Sequence, residues 1–298
     1  MKRIFLNFFC AVLLFGNMCA QESPATPAGK DIVFIETFTY PNNIGSNVVQ
    51  SLRNKVIEGI NVTNRIKLLD TESDPVLNAE KSRRAQESAI NEENANLESM
   101  KTLGAKYVIS GHVVSMEAVR EKSSSGSVSY SGSVVYQLKV YDLSNGTIVA
   151  TKDFNQSGLT GGIGSTTMEA ITDAFKSTKL NMERFVDEVF KLEGKIEEIS
   201  ESKKDEAKKV YINLGEIRGI QKGQKFDVYV EREVAGRKAR KLIGELQVDA
   251  VEADDLSLAS VKKGGKEIMA AIGEGKAVTV ESKKDTNAMK DIKGFFSL

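Results

Sequence analysis

Residues 103–154 read LGAKYVISGHVVSMEAVREKSSSGSVSYSGSVVYQLKVYDLSNGTIVATKDF. Gly104 stands where a preceding helix would close. The run Tyr107–Val114 is β-branched and aromatic, the composition of a strand. After a Ser/Gly-rich interval, Val134–Tyr141 alternates, with Val134, Tyr136, Leu138 and Val140 on one face and Val135, Gln137, Lys139 and Tyr141 on the other. Asp142-Leu-Ser-Asn-Gly146 turns the chain, and Thr147–Thr151 returns antiparallel. A central strand and a hairpin are therefore expected at 107–117, 134–141 and 147–154.

Working outward toward the N-terminus, Asp31–Phe38 predicts a first strand, and Pro41–Gly45 a turn. A helix opens near Ser46, with Val48, Val49, Leu52 and Val56 on one face. Arg65–Asp70 is a second short strand. Residues 77–103 favour helix, with Ala85, Ala89, Ile90, Leu97, Met100 and Leu103 as an apolar stripe ending at Gly104. Toward the C-terminus, 157–167 is a glycine loop. A long helix then runs through Met168, Ile171, Phe175, Met182, Phe185, Val186, Val189 and Leu192. This order predicts an α+β fold, a mixed sheet with helices packed against it.

Residues 193–209, EGKIEEISESKKDEAKK, are a charge-rich join. Beyond it the pattern consists of short strands only, at 210–214, 225–231, 242–252, 256–261 and 277–281, separated by glycine-marked turns. Five closely spaced strands of this kind predict a small all-β barrel. The chain divides on this reading into a sheet domain at 31–195, a charged linker at 196–209, a barrel at 210–282 and a loose tail at 283–298.

The N-terminus carries a different signal. Lys2-Arg3 precede an apolar run from Ile4 to Phe15, followed by Met18-Cys19-Ala20. These are the parts of a secretory signal peptide over residues 1–20, and the apolar run is too short to span a bilayer permanently. Residues 21–30, rich in Pro, Ala and Gly, form a tether. The chain is predicted to be periplasmic after cleavage at Ala20. Lipidation at Cys19, giving an outer-membrane lipoprotein, is the alternative. The whole chain of 298 residues has 41 Lys+Arg and 41 Asp+Glu. Cleavage removes two cations and no acid, so the remainder is nearly neutral and carries no overall footprint for nucleic acid.

Candidate chemistry is sparse. Both cysteines, Cys10 and Cys19, lie within the signal segment, and His112 is the one histidine. Thiol catalysis, soft-metal sites and a Ser-His-Asp arrangement then lack their parts. Gly158–Ser165 precedes a helix but has neither the Gly-Lys-Ser/Thr ending of a phosphate loop nor the third Gly of a dinucleotide loop, where Thr167 falls. Residues 123–133 are expected to be an exposed loop, since only Val128 and Tyr130 would offer lipid an apolar side chain. Asp254-Asp255 and the acids at 197–206 lack the spacing of a Ca²⁺ loop. No residue is assigned a catalytic, cofactor-binding or metal-binding role, and no cofactor is expected.

Three motifs in order resemble the envelope-protein superfamily that contains the curli secretion component CsgG, the penicillin-binding-protein activator LpoB and the TolB N-terminal domain. Ile32–Phe38 stands where those families have an apolar strand ending in Phe. Leu103-Gly-Ala-Lys-Tyr-Val-Ile-Ser-Gly111 is similar to their G-A-D-Y-(V/I)-(I/L)-x-G strand, with Lys106 in place of the acid. Tyr136–Val149 is similar to their L-x-V-x-D-x-x-T-G-x-I-(V/L) hairpin, with Asn145 in place of Thr. The resemblance covers about residues 31–192, and the later segment resembles the C-terminal barrel of FlgT-type proteins. It implies a non-enzymatic cell-envelope accessory protein, CsgG-like and of the curli assembly and transport type, that binds other envelope proteins. An LpoB-like activator of a peptidoglycan synthase and an oligomeric CsgG-like export pore are the alternatives. Homo-oligomerisation and contact with a membrane are open on this reading, but integration into one is not expected.

Overall fold

A computed structural model describes residues 29–87 and 92–283, with side chains omitted for 85–87 and 92–95. The signal segment, most of the tether and the tail from 284 therefore lie outside the described residues. The chain forms an α+β sheet domain followed by a closed β-barrel.

The first strand β1 (Ile32–Ile35) pairs in parallel with β2 (Lys67–Asp70) and with β3 (Ala105–Lys122). β3 continues antiparallel into β4 (Val128–Asp142), and β4 into β5 (Ile148–Gln156). The order across the sheet is β2-β1-β3-β4-β5, with the three-residue strand β6 (Gly162–Gly164) extending the β5 side of β4. The β3–β4 hairpin is longer than expected. Residues 128–133 are strand, and only 123–127 turn, because the serines alternate across a ladder that continues to Lys122↔Val128.

Even-numbered β4 residues Val134, Tyr136, Leu138 and Val140 are fully buried, facing α1 (Ser46–Val62), α4 (Thr167–Ala174) and α5 (Thr178–Val189). Each such side chain taken from water contributes about 1.5–3 kcal/mol. The expected helix over 168–192 is two helices joined by a 3₁₀ turn at Phe175–Ser177. The break lets Phe175 enter the core, while Ser177 Oγ donates to Thr160 O at 2.8 Å. The expected helix over 77–103 is likewise two, α2 (Pro75–Glu87) and α3 (Glu92–Thr102). Leu77 and Met100 from this pair meet Phe34, Val108 and Leu143 on the opposite face of the sheet.

Arg53 on α1 is 1% exposed. It donates to Glu36 O at 3.0 Å and to Ile35 O at 3.2 Å, and it pairs with Asp70. One guanidinium thus joins α1, the end of β1 and the end of β2. Burial raises the Asp70 carboxyl, but bonds from Arg53, the Glu72 amide and Ser73 outweigh it and hold the carboxyl below its ordinary value.

The segment expected to be a linker, 196–209, is built into the barrel. It supplies most of β7 (Glu193–Ser202) and the start of β8 (Ala207–Ile212). β7 pairs with β8 and with β12 (Val278–Ser282). The remaining strands are β9 (Lys225–Val234), β10 (Arg237–Val251) and β11 (Ser257–Lys263), and the barrel closes in the order β10-β11-β8-β7-β12-β9. It has six strands rather than five. Register shifts at Ile196/Glu198 and Ile199/Glu201 interrupt the alternation of β7, so its two isoleucines stand three apart and its charges dominate the pattern. A helix, α6 (Gly265–Gly273), occupies the interval expected to be turns, and it sends Ile268 into the barrel core.

Candidate interaction surfaces

The motif positions come together at the centre of the sheet. Phe38 is buried, and a Cβ built on Gly111 would lie 2.3 Å from its ring. The Phe that ends the first motif therefore fills the space left by the Gly that ends the second, and a side chain at Gly111 would have to displace the Phe38 ring. In the third motif, Asp142 Oδ1 accepts from the Ser144 amide at 2.8 Å, and Gly146 has a φ of +72°, closing the turn before β5.

The glycine loop has a packing role. A Cβ on Gly162 would lie 1.9 Å from Ala170 O, one on Gly132 2.1 Å from the same atom, and one on Gly164 2.5 Å from Ala170 N. Three glycines let the backbone of α4 rest directly on β4 and β6. The helix N-terminus is already occupied by the chain's own groups. Thr166 Oγ1 accepts from the Glu169 amide at 3.2 Å, and Glu169 Oε2 accepts from the Ser165 amide at 2.9 Å. Bonds from the Ser165 hydroxyl and amide lower the Glu169 carboxyl. The position a phosphate would take carries a carboxylate.

His112 is exposed, with Nδ1 2.8 Å from Thr39 Oγ1. It stands opposite Gln137, whose amide donates to Asp153 Oδ1 at 2.7 Å. This row crosses the sheet on the face away from α1, α4 and α5. Farther along the same face Val119 pairs with Ser131, and Ser131 with Ile163. Val119 is 62% exposed and Ile163 72%. An uncharged row with two large apolar side chains in water is thus presented by the part of the sheet that the α2–α3 cluster does not reach. Beside it, β5 forms one edge of the sheet. Such a face and edge can take up a partner's surface or strand. Among the described residues no group of three or more His, Cys, Asp or Glu side chains is placed to hold a metal. Asp254 lies in the turn between β10 and β11, its carbonyl accepting from the Ile217 amide at 3.0 Å.

Sheet domain and barrel meet through a tight contact that no motif signalled. Gly219 has a φ of +70°, and a Cβ there would lie 2.7 Å from Asn64 O. Arg218 Nη1 donates to Gly29 O at 3.0 Å. Beside this contact a cleft of about 560 Å³ is lined by Arg65, Asp187, Lys222, Lys225 and Gln247 among others. Arg65 is paired with Asp187 at 2.7 Å. Burial pulls the Arg65 guanidinium below its usual value, against the opposing pull of Asp187. No helix among the described residues is long and apolar enough to cross a membrane.

No protein-family model matches the sequence, and no curated protein matches it. Several solved structures resemble part of the chain. A PelC dodecamer from Paraburkholderia phytofirmans is 15% identical, covers 54% of this chain and 91% of its own, and gives a TM-score of 0.32. The LpoB C-terminal domain from Escherichia coli is 12% identical, covers 44% of this chain and 85% of its own, and gives 0.29. The lipoprotein GNA1162 from Neisseria meningitidis is 10% identical, covers 43% of this chain and 80% of its own, and gives 0.25.

Proposed function

We propose that this chain is a non-enzymatic accessory protein of the cell envelope, exported to the periplasm, that works by binding other envelope proteins. Within that reading the CsgG-like class of assembly and transport components is the first choice, on the three motifs at 32–38, 103–111 and 136–149. The observation that carries the binding role is the open sheet face. Val119 and Ile163 stand exposed across Ser131, in line with the His112–Gln137–Asp153 row and beside the β5 edge. Burying Val119 and Ile163 against a partner releases water from apolar surface, and Glu117 and Glu121, which flank Val119 on the same face, would pair with polar or cationic groups of that partner. An LpoB-like activator would use the same face on a peptidoglycan synthase.

The export-pore alternative meets an obstacle in the hairpin. Along the hairpin, β3 carries Glu117 and Glu121 on the face of Val119, and Arg120 and Lys122 on the other. A charged side chain turned to lipid costs up to about 2–4 kcal/mol at the bilayer midplane. Charges on both faces disfavour insertion of this hairpin whichever way it turns.

Photo-crosslinking in producing cells tests the binding role. With the probe at Val119 or Ile163, defined adducts with envelope proteins are expected. A probe at Lys55, exposed on α1, should give none of them. Identical adducts from all three sites, or none from the sheet face, would refute the assignment of the face.

A further inference from the structure

The β9–β10 hairpin runs beyond the barrel. β12 pairs with β9 only over Phe226–Val230, and β11 with β10 only from Glu245 onward. Residues 231–241 therefore form a two-stranded arm. Its turn, Ala235-Gly236, has φ values of +51° and +73°, the left-handed pair of a two-residue hairpin turn that matches strand twist. The arm leaves the barrel end closed by α6, since Val230 pairs with Val278 just after that helix. This is the end away from Glu193 and Lys225, where the barrel adjoins the sheet domain.

The register sorts the arm's charges onto two faces. Residues opposite one another share a face, and alternate residues along a strand do too. Glu231↔Arg240 and Glu233↔Lys238 place both acids of the arm on one side. There Arg240 stacks 4.2 Å from the Tyr229 ring centroid and pairs with Glu281 at 2.9 Å. The other side carries Arg232, Arg237 and Lys241, interleaved with Ala239 and Val234, and no acid. All three cations are exposed, and none makes an ion pair with a described residue, while Val234 is 47% exposed among them. Arg237 and Lys241 are four residues apart, about 13 Å along the strand. The neutrality of the whole chain conceals this strip, because acids elsewhere offset it.

We infer that this face of the arm docks on an anionic phospholipid surface. Three unpaired cations spread along a ribbon match an extended field of negative charge better than one discrete anion, and the clefts beside Arg65, Lys106 and Asn64 do not include them. Val234 supplies an apolar contact at the same level. The face holds no aromatic side chain on which a nucleic-acid base could stack. The attraction is peripheral, leaves the barrel intact and is screened by salt.

Co-sedimentation of the full chain with vesicles tests the inference. The chain should bind phosphatidylcholine vesicles containing phosphatidylglycerol more tightly than vesicles of phosphatidylcholine alone, and raised ionic strength should abolish the difference. The triple variant R232Q/R237Q/K241Q should lose about a hundredfold in affinity for the anionic vesicles. Its melting transition should not move, since the three side chains are exposed and unpaired. A matched variant on the sheet domain that also removes three exposed cations unpaired among the described residues, K67Q/K122Q/K179Q, should bind as the parent does. Equal binding to both vesicle types, or a triple variant that binds like the parent, would overturn the proposal. So would retention on immobilised heparin or polyglutamate without preference for the anionic vesicles. A triple variant with an altered melt would be replaced by R237Q/K241Q, read by the same ratio of affinities.

Discussion

Replacing Arg53 by Met tests how the sheet domain is held together. Methionine keeps most of the volume and removes the charge and all the donors. Glu36 O then loses its bond from Nε, and Asp70 loses its cationic partner. Ile35 O keeps the Thr71 hydroxyl at 3.1 Å, and Asp70 keeps the Glu72 amide at 3.0 Å and Ser73 at 2.9 Å. Breaking a buried pair from one side costs about 3–5 kcal/mol. Asp70 is 25% exposed, so water solvates the abandoned carboxylate in part, and the expected loss is about 3 kcal/mol. Urea unfolding of R53M, D70N and the double variant forms a cycle with a coupling of about 2 kcal/mol. Acidification gives a second reading of the same pair. The folded-state Asp70 carboxyl titrates below its unfolded value, so its stabilisation is complete above the ordinary carboxylate range and lost as pH falls through the depressed value. R53M should therefore show a shallower acid limb than the parent. A loss below about 1 kcal/mol, or additive single variants, would refute the view that this guanidinium staples α1 to β1 and β2.

Gly162→Ala should cost about 3 kcal/mol, the upper end for overpacking, because its Cβ would meet the immobile Ala170 carbonyl. Hydrogen exchange should show the loss first over α4, and a neutral substitution would mean that the helix is not seated on the strands. A fragment of residues 207–283, which lacks β7, should be molten, whereas 191–283 should unfold cooperatively in urea; cooperative unfolding of the shorter piece would show that closure does not need β7. Gly219→Val forces a β-branched residue into a left-handed conformation against Asn64 O, so calorimetry should resolve one transition for the parent and two for the variant. A single unshifted transition would mean that this contact does not couple sheet and barrel.

The local pattern alone determined much of this protein. Alternation in 134–141, the helical stripe at Val48, Val49, Leu52 and Val56, and the turn at Asp142–Gly146 are properties of neighbours in the chain, and each is read from period and residue type. Wherever the ladder is interrupted, or a residue is chosen by something distant, the pattern loses its meaning. β7 is hidden in the sequence because a bulge between Ile196 and Glu198 takes its isoleucines off the period of two, and its closure depends on pairing with β12 some eighty residues later. In the sequence, the glycines at 132, 162 and 164 fall in stretches that read as loops. The fold makes them a seat for α4, because only the packed helix reveals that a Cβ has no room. Phe38 and Gly111 were visible as separate motif ends, and tertiary contact makes them one feature. The open sheet face follows from which helices pack on which side, and the cationic strip from which residues of β9 stand opposite which of β10. Composition sums charge over the whole chain, whereas register decides on which face each charge stands.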